Sequence, residues 1–392
     1  MIQRLALDKL QKLSKQFPVV CILGPRQCGK TTIAKIYQQQ CKKKALYLDL
    51  ESPADARKLS DPELLFTQNP DTVFILDEVQ RMPSLFQLLR SVVDKYKKPG
   101  RFILLGSANP DLIKGVSETL AGRISYIQAY PFHYTEIQHA PKSFEKHFFR
   151  GGFPDAFLAK NDVLASNWMD AFVRTFIERD LNTLFGTNFS PPLMFKLWRM
   201  LAHHHGGIWN AHSFSKGLDI SPTTVNRYLD YLEGAFMVRR LAPYYANIGK
   251  RLVKSPKIYV SDNGLLHHLL DIPNYKTLQT HPVIGYSWES YVIEQICQLL
   301  PRSIQPYFYR THDGSEMDLI LVKGITPLCC IEIKWSHSPG ITKGMTESIK
   351  DLKCKKNYII IPGDEKDIPM RKDVYSVGFM HFINVILPKL VK

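Results

Sequence analysis

The sequence predicts an α/β protein in which a parallel sheet is followed by a helical middle region and a second, smaller α/β unit. Five short apolar runs alternate with helical segments through the first 140 residues. This alternation is typical of a parallel sheet covered by helices on both faces. Apolar residues at three- and four-residue spacing then dominate the middle of the chain, and short β-rich runs return in its last third.

Length and composition limit the kind of protein. The 392 residues are 45% hydrophobic and 22% charged, which is ordinary for folded domains and excludes a mainly disordered chain. We place domain boundaries at 1–140, 141–255 and 256–392. The sequence has no apolar stretch long enough for a membrane span, no signal-peptide pattern and no C-x-x-C pair among its seven cysteines. We therefore expect a cytoplasmic protein without a membrane partner.

The formal net charge of +15 is concentrated in the first two-thirds, because residues 256–392 hold 16 basic and 14 acidic residues. A basic balance favours polyanionic partners such as nucleic acid. The alternative is an ordinary basic surface that binds nothing anionic.

The first apolar run leads into GPRQCGKT at residues 24–31, which has the form G-x-x-x-x-G-K-[ST] of a phosphate-binding loop. Glycines let backbone N–H groups wrap a phosphate, and the helix that follows points its positive end at it. Lys30 is expected to neutralise the β- and γ-phosphates of ATP, and Thr31 to ligate Mg²⁺. The predicted nucleotide-binding residues are Gly24, Pro25, Arg26, Gln27, Cys28, Gly29, Lys30, Thr31 and Thr32.

Two later runs predict the rest of an ATP-hydrolysing site. The third run ends in Asp77 and Glu78. We expect Asp77 to hold Mg²⁺ through water and Glu78 to act as general base. The fourth run ends in a polar segment in which Ser107 or Asn109 is placed to sense the γ-phosphate. Arg123 precedes the fifth run and is predicted to reach a neighbouring subunit's nucleotide, which predicts a homo-oligomer; the alternative for Arg123 is a surface salt bridge.

The motifs GPRQCGKTT, VFILDEVQRMP, LLGSANP and SETLAGRISYIQAYPF resemble those of the AAA+ ATPases. They are most similar to the bacterial and archaeal branch in which the ATPase core precedes a poorly characterised C-terminal domain. The resemblance continues through GGFP at 151–154 and covers nearly the whole chain.

The middle region predicts a helix-turn-helix with a two-stranded wing. A short helix ends near Gly217, and a second runs from Pro222 to about Glu233, with Ser221 as its N-cap. No acidic residue lies between Glu233 and Asp262, so either DNA contact or packing against protein is open. The candidate DNA contacts are Thr223, Thr224, Asn226, Arg227, Arg239, Arg240, Lys250, Arg251 and Lys254.

The last third has the element order αβββαβ, which matches the core of restriction-endonuclease-like folds. Asp318 begins the second of these strands, and Glu332 and Lys334 leave the same face of the third. These residues resemble the PD-(D/E)xK nuclease motif. They predict a second magnesium site on Asp318 and Glu332, with Lys334 positioning water and Glu289 as a further ligand or orienting group.

These observations together predict a Mg²⁺-dependent ATPase that couples its nucleotide state to the binding or processing of DNA. Three alternatives remain open from the sequence. They are a nucleotide-gated protein-interaction switch with an inactive nuclease fold, a metal-dependent nuclease regulated by ATP, and a motor that moves on DNA.

Overall fold

A computed structural model describes residues 2–108, 120–186, 189–245 and 252–391. The candidate residues Asn109, Lys250 and Arg251 lie outside the described residues.

Helices occur in all three parts of the chain. In the first part they are α1 (Leu5–Leu13), α2 (Lys30–Gln40), α3 (Pro53–Lys58), α4 (Pro62–Gln68), α5 (Leu85–Tyr96) and α6 (Tyr134–Ile137). The middle part holds α7 (Ser143–Arg150), α8 (Pro154–Leu158), α9 (Asp162–Thr175), α10 (Leu181–Phe185), α11 (Pro191–His203), α12 (Ala211–Leu218) and α13 (Pro222–Gly234). They are followed by α14 (Asn263–Leu269), α15 (Tyr275–Thr280), α16 (Ile284–Leu299), α17 (Lys343–Leu352), α18 (Phe379–His381) and α19 (Leu387–Leu390). None of the helices within the described ranges is long and apolar enough to cross a lipid bilayer.

The first sheet contains all five strands that the apolar runs predict, and every neighbouring pair is parallel. The strands lie in the order β2-β3-β4-β1-β5. They are β1 (Val19–Leu23), β2 (Ala45–Asp49), β3 (Val73–Asp77), β4 (Phe102–Gly106) and β5 (Ile124–Gln128). Helices α4 and α5 pack on one face, and α1 and α2 pack on the other, because the strands are apolar on both sides.

Helices α12 and α13 form the predicted pair of middle helices, and the side chain of Ser221 caps α13 by accepting a bond from Thr224 N. An antiparallel pair of strands follows, β6 (Val238–Leu241) and β7 (Lys257–Val260). Both strands contribute buried residues to one hydrophobic cluster with α9, α11 and α13.

A six-stranded sheet forms the last part, in the order β12-β13-β11-β10-β9-β8. Its strands are β8 (Ile304–Arg310), β9 (Glu316–Lys323), β10 (Thr326–Ile333), β11 (Asn357–Ile361), β12 (Ile368–Arg371) and β13 (Val374–Gly378). The pairs β10–β11 and β11–β13 are parallel, and the other pairs are antiparallel. Helices α16 and α17 pack on opposite faces.

A contact between distant segments joins the start of the middle region to α14. Asp262 caps α14 by accepting a bond from Leu265 N, and its other oxygen accepts one from Gly152 N at 2.8 Å. Gly151 has φ +74°, and a Cβ atom there would lie 2.0 Å from Asp262 Oδ1. Glycine is therefore required at position 151 by both its backbone conformation and the nearby carboxylate.

Four buried histidines predict a stability that depends on pH. Burial lowers the pKa of His133 and His205 to about 3 and that of His147 and His267 to about 4. The unfolded chain, in which a histidine pKa is about 6.5, binds these protons first, so stability is complete above pH 6.5 and is lost as pH falls towards about 4.

We therefore expect the melting temperature of the full chain to fall between pH 7 and pH 5, with each histidine costing up to about 1.4 kcal/mol per pH unit below pH 6.5. Carboxyl groups whose pKa is raised by burial oppose this trend: the pKa of Asp262 is raised to about 6, and those of Asp180, Glu233, Asp318 and Glu332 are also raised. Calorimetric melting at matched ionic strength measures the effect. An unchanged or higher melting temperature at pH 5 would contradict it.

Candidate functional site

The predicted ATPase residues meet at one edge of the first sheet. Strand β4 lies between β1 and β3, so the segments that follow these three strands are neighbours, because parallel strands end at the same edge. The loop after β1, the pair Asp77 and Glu78 after β3, and Ser107 after β4 are brought together in this way.

The loop between β1 and α2 is tightly packed. A Cβ atom at Gly24 would lie 2.0 Å from the carbonyl oxygen of Ala129, so only glycine fits there. Gln27 adopts a left-handed backbone with φ 61°, and the thiol of Cys28 is buried at 0% exposure. Lys30 is buried, and its ammonium donates to the carbonyls of Gly24 and Pro25 at 3.0 and 2.8 Å.

Thr31 and Asp77, the two residues predicted to hold Mg²⁺, are hydrogen-bonded to each other. The Thr31 hydroxyl donates to Asp77 Oδ2 at 2.7 Å, and Tyr47 OH donates to the same oxygen at 2.6 Å. Asp77 is 4% exposed. A hydroxyl and a carboxylate at this separation fit the oxygen preference of Mg²⁺, whereas Thr32 lies one residue further on and is exposed.

Glu78 is held by two side chains. Its backbone is left-handed, with φ 53°, a conformation that is costly and concentrated at functional sites. Ser107 Oγ donates to Glu78 Oε1 at 3.0 Å, and Gln80 donates to Oε2. The structure therefore brings Ser107 to Glu78, the predicted general base. It adds Gln80, which no motif in the sequence identifies although it lies two residues after Glu78.

Arg26 connects the phosphate-binding loop to the middle region. It donates to Asp180 Oδ1 and to Glu51 Oε1, each at 2.7 Å. Asp180 ends a single turn of π-helix, Phe176–Asp180, that follows α9. Burial opposes the charge of Arg26, but Glu78, Asp180 and Glu51 outweigh it and raise its pKa. No sequence signal identified Asp180, because 154 residues separate it from Arg26.

Arg4 anchors the loop from the other side. The guanidinium donates to the carbonyls of Cys28 and Tyr130 at 2.9 and 2.6 Å and pairs with Glu136 at 3.1 Å. Both side chains of this ion pair are at most 6% exposed. The loop backbone is therefore positioned in part by an arginine that the motif does not contain.

Arg123 forms a two-pronged ion pair with Asp94 of α5, whose Oδ2 accepts a bond from Nη2 at 3.0 Å. The Arg123 side chain is 32% exposed. It thus lies on the flank of the sheet, with an intramolecular partner.

The candidate DNA contacts divide into two groups. Thr223, Asn226 and Arg227 lie on exposed turns of α13, and Thr224 is partly covered by its bond to Ser221. Lys254 is also exposed.

Arg239 and Arg240 belong to the other group, because carboxylates of this chain pair with them. Arg239 pairs with the buried Glu294 of α16, with Nη2 donating to Oε2 at 2.9 Å, and Arg240 pairs with the more exposed Asp230 and Glu233. Both arginines are only partly exposed, and their assignment as DNA contacts stays a prediction.

The four candidate residues of the last part also lie near one another. Glu289 of α16, Asp318 of β9 and Glu332 of β10 are each no more than 8% exposed. Lys334 contacts Glu332 Oε1 at 2.7 Å, and Asp318 Oδ2 accepts a bond from Ile333 N at 2.8 Å.

We use the name acid cluster for Glu289, Glu316, Asp318 and Glu332. Burial raises the pKa of both Asp318 and Glu332, and neighbouring carboxylates raise it further. Both effects disfavour the charged form of the carboxyl group.

The sequence analysis missed the cation at the centre of this cluster, Lys257 of β7. Its ammonium lies 2.9 Å from Glu289, 2.7 Å from Glu316 and 3.9 Å from Asp318. Burial opposes its charge, but Tyr259 and these carboxylates raise its pKa well above the usual value. The pocket beside Lys257 has a volume of about 630 Å³ and is also lined by Arg310 and His205.

The acid cluster does not fit a divalent cation in this arrangement. Glu332 Oε2 is buried and has no hydrogen-bond partner among the described residues, but Lys257 occupies the space between the other carboxylates. Across the described ranges, no group of three histidine, cysteine or acidic side chains is placed to hold a metal ion. We therefore derive no metal-dependent step at this site.

Comparisons with known proteins agree with the first sheet and its loop. Three family models match the chain: an AAA domain over residues 16–138, a domain of unknown function (DUF8612) over 141–276, and a domain of unknown function (DUF4143) over 284–380. An uncharacterized protein of Mycobacterium tuberculosis is 37% identical over 376 residues, covering 96% of this chain and 83% of that protein.

Two further matches are more distant. An uncharacterized protein of Haemophilus influenzae is 25% identical over 280 residues, covering 64% of this chain and 68% of that protein. A solved structure, the Walker-type ATPase PABY2304 of Pyrococcus abyssi, is 16% identical with a TM-score of 0.49, covering 69% of this chain and 96% of that one.

The parallel sheet, the phosphate-binding loop and the matching family model define the first part of the chain as a P-loop domain of the AAA+ ATPase class. The whole chain belongs to the same family as the uncharacterized mycobacterial protein.

The contacts of Arg4 predict a large loss of stability when this residue is replaced. In Arg4→Ala the carboxylate of Glu136 stays buried without its cation, which typically costs about 3–5 kcal/mol. Urea unfolding of the full chain measures this, with the exposed Lys12→Ala of α1, the helix that begins directly after Arg4, as the control. Equal unfolding midpoints for the two variants would show that Arg4 does not anchor the loop.

Proposed function

We propose that this protein is a Mg²⁺-dependent ATPase whose nucleotide state is passed to its middle and C-terminal parts. The observation that carries the proposal is the contact between Ser107 and Glu78 at 3.0 Å, next to the Thr31–Asp77 pair. A general base held beside a γ-phosphate sensor and a pair of Mg²⁺ ligands is the arrangement that ATP hydrolysis needs.

Each residue of this site has a distinct role in the proposal. Backbone N–H groups of residues 24–29 bind the β-phosphate, and the Lys30 ammonium exchanges its two loop carbonyls for phosphate oxygens. Thr31, and Asp77 through water, would hold Mg²⁺, which would supply positive charge to offset that of the phosphates. Glu78 takes a proton from the attacking water, and Ser107 restrains the same carboxylate.

Coupling to the rest of the chain is proposed to run through Arg26. Its guanidinium bonds to Asp180 of the middle region and lies close enough to Glu78 for their charges to interact. A γ-phosphate that arrives between these groups competes for the same cation, so ATP and ADP states differ in how firmly Asp180 is held.

DNA is the partner that the exposed face of α13 favours. Thr223, Asn226 and Arg227 lie on the second helix of a helix-turn-helix, where base or phosphate contacts are usually made. We also retain Arg123 as a residue that acts between subunits of a homo-oligomer, for which it would exchange Asp94 for a neighbour's γ-phosphate.

The alternative supported by a specific observation is a nucleotide-gated interaction switch with an inactive nuclease fold. Lys257 within the acid cluster favours it over a nuclease that is active in this arrangement.

Substitutions at the loop and at the general base are expected to separate binding from hydrolysis. Lys30→Ala loses ATP binding, because the ammonium that neutralises the β- and γ-phosphates is removed, whereas Glu78→Gln binds ATP and hydrolyses it at least about 10²-fold more slowly. Isothermal titration and phosphate release measure the two steps, with the exposed Gln39→Ala of α2 as control. A Glu78→Gln variant with the wild-type rate would overturn the proposal.

DNA coupling predicts that DNA stimulates ATP hydrolysis and that salt weakens this stimulation steeply, because binding releases counterions. Arg227→Glu should reduce the stimulation while leaving the rate without DNA unchanged, and Lys276→Glu, also exposed, serves as the matched control. Rates with and without single- and double-stranded DNA at two salt concentrations measure this. Turnover indifferent to DNA would favour a protein partner instead.

A further inference from the structure

Lys257 is an unusual residue in the C-terminal site, because it does not come from the C-terminal sheet. It lies on β7, at 3% exposure, and reaches across to Glu289 of α16, Glu316 and Asp318 of β9. Burial of a lysine ammonium is costly unless carboxylates surround it. The contact is therefore strong, and it depends on where β7 lies relative to the sheet.

The charges around Lys257 leave the acid cluster short of cations. Its four carboxylates face Lys257, Lys334 at Glu332 and Arg310, whose Nη1 lies 3.4 Å from Glu316. In a formal count with every group ionised, the four carboxylates exceed these three cations by one negative charge, and the excess would be two without Lys257. Two is the charge of a divalent cation, for which carboxylate oxygens are the preferred ligands.

A second observation also points to a missing ligand. Glu332 is 6% exposed. Its Oε2 is buried and has no hydrogen-bond partner among the described residues. A buried carboxylate oxygen without a donor is costly. A cation among these carboxylates would give this oxygen a partner, and Lys257 does not contact it.

The position of β7 is linked to the phosphate-binding loop. Ile258 exchanges backbone hydrogen bonds with Gly206 and Gly207, directly after α11. Trp198 of α11 packs against Phe176, with ring centroids 5.3 Å apart, and Phe176 begins the turn that ends in Asp180, the partner of Arg26. A continuous series of contacts between packed elements thus connects Arg26 to Lys257.

We propose that Lys257 acts as an internal substitute for a divalent cation, so that the acid cluster binds a metal ion only when β7 withdraws this ammonium. In the arrangement described here, Lys257 occupies the acid cluster and excludes the metal ion. A movement of the middle region that carries β7 away would free the carboxylates. The link to the nucleotide rests on the proposed ATPase function, whereas the competition between Lys257 and the cation does not.

The test is a titration of the full chain with Mn²⁺ without nucleotide, followed by electron paramagnetic resonance. All proteins carry Thr31→Ala, which removes a ligand of the ATP site. Lys257→Met should bind one Mn²⁺ at least about tenfold more tightly than the parent, and adding Asp318→Asn should abolish the gain. Lys254→Met, an exposed lysine three residues earlier, is the matched control and should bind like the parent.

Failure to gain affinity in Lys257→Met, or a gain that survives Asp318→Asn, would overturn the proposal. Circular dichroism and melting establish that the variants fold. If Lys257→Met does not fold, hydrogen exchange of the unsubstituted chain replaces the titration: millimolar Mn²⁺ should speed the exchange of β7 amides, and unchanged exchange would overturn the proposal. Because the samples contain no nucleotide, a failure of the ATPase proposal leaves these outcomes unaffected.

Discussion

The edge at which the first parallel sheet ends is the constraint on which the other features depend. Because β4 lies between β1 and β3, the carboxyl ends of these three strands are neighbours. Residues that are far apart in sequence therefore lie close together at this edge. Thr31 reaches Asp77, and Ser107 reaches Glu78. The sheet supplies the geometry, and the buried apolar strands that hold it together keep that geometry fixed.

Ion pairs with buried carboxylates connect parts of the chain that lie far apart in sequence. Arg26 reaches Asp180, Arg239 reaches Glu294, and Lys257 reaches Glu289. The last two acids lie on α16, so one helix receives both strands of the β6–β7 pair. Such pairs add little net stability, but the loss of one partner is strongly destabilising, because the other charge stays buried without compensation. The arrangement of the three parts is therefore sensitive to any ligand that competes for one of these charges.

Local pattern determined which features could be predicted from the sequence. The five strands of the first sheet and the loop with Lys30 and Thr31 have short, regular signatures, and the order of elements around Asp318 and Glu332 was also readable. Long-range charge pairing has no such signature. Arg4, Asp180 and Lys257 each lie in a segment without a motif, and their roles come from partners 24 to 154 residues away. For the same reason, the sequence favours Arg239 and Arg240 as DNA contacts. A run without acidic residues gives no information on the carboxylates that folding brings near these two arginines.

The contact between Gly151 and Asp262 makes two short segments, GGFP and SDNG, one physical unit although more than a hundred residues separate them. Any side chain at 151 would push the carboxylate away from Gly152 N and from the start of α14 at once. A substitution at Gly151 or at Asp262 thus disturbs the same contact, and a side chain at Gly151 is also strained by its φ of +74°. In an unfamiliar sequence, the two segments found together would identify this docking of helices more reliably than either would alone, and would do so even where the phosphate-binding loop has been lost.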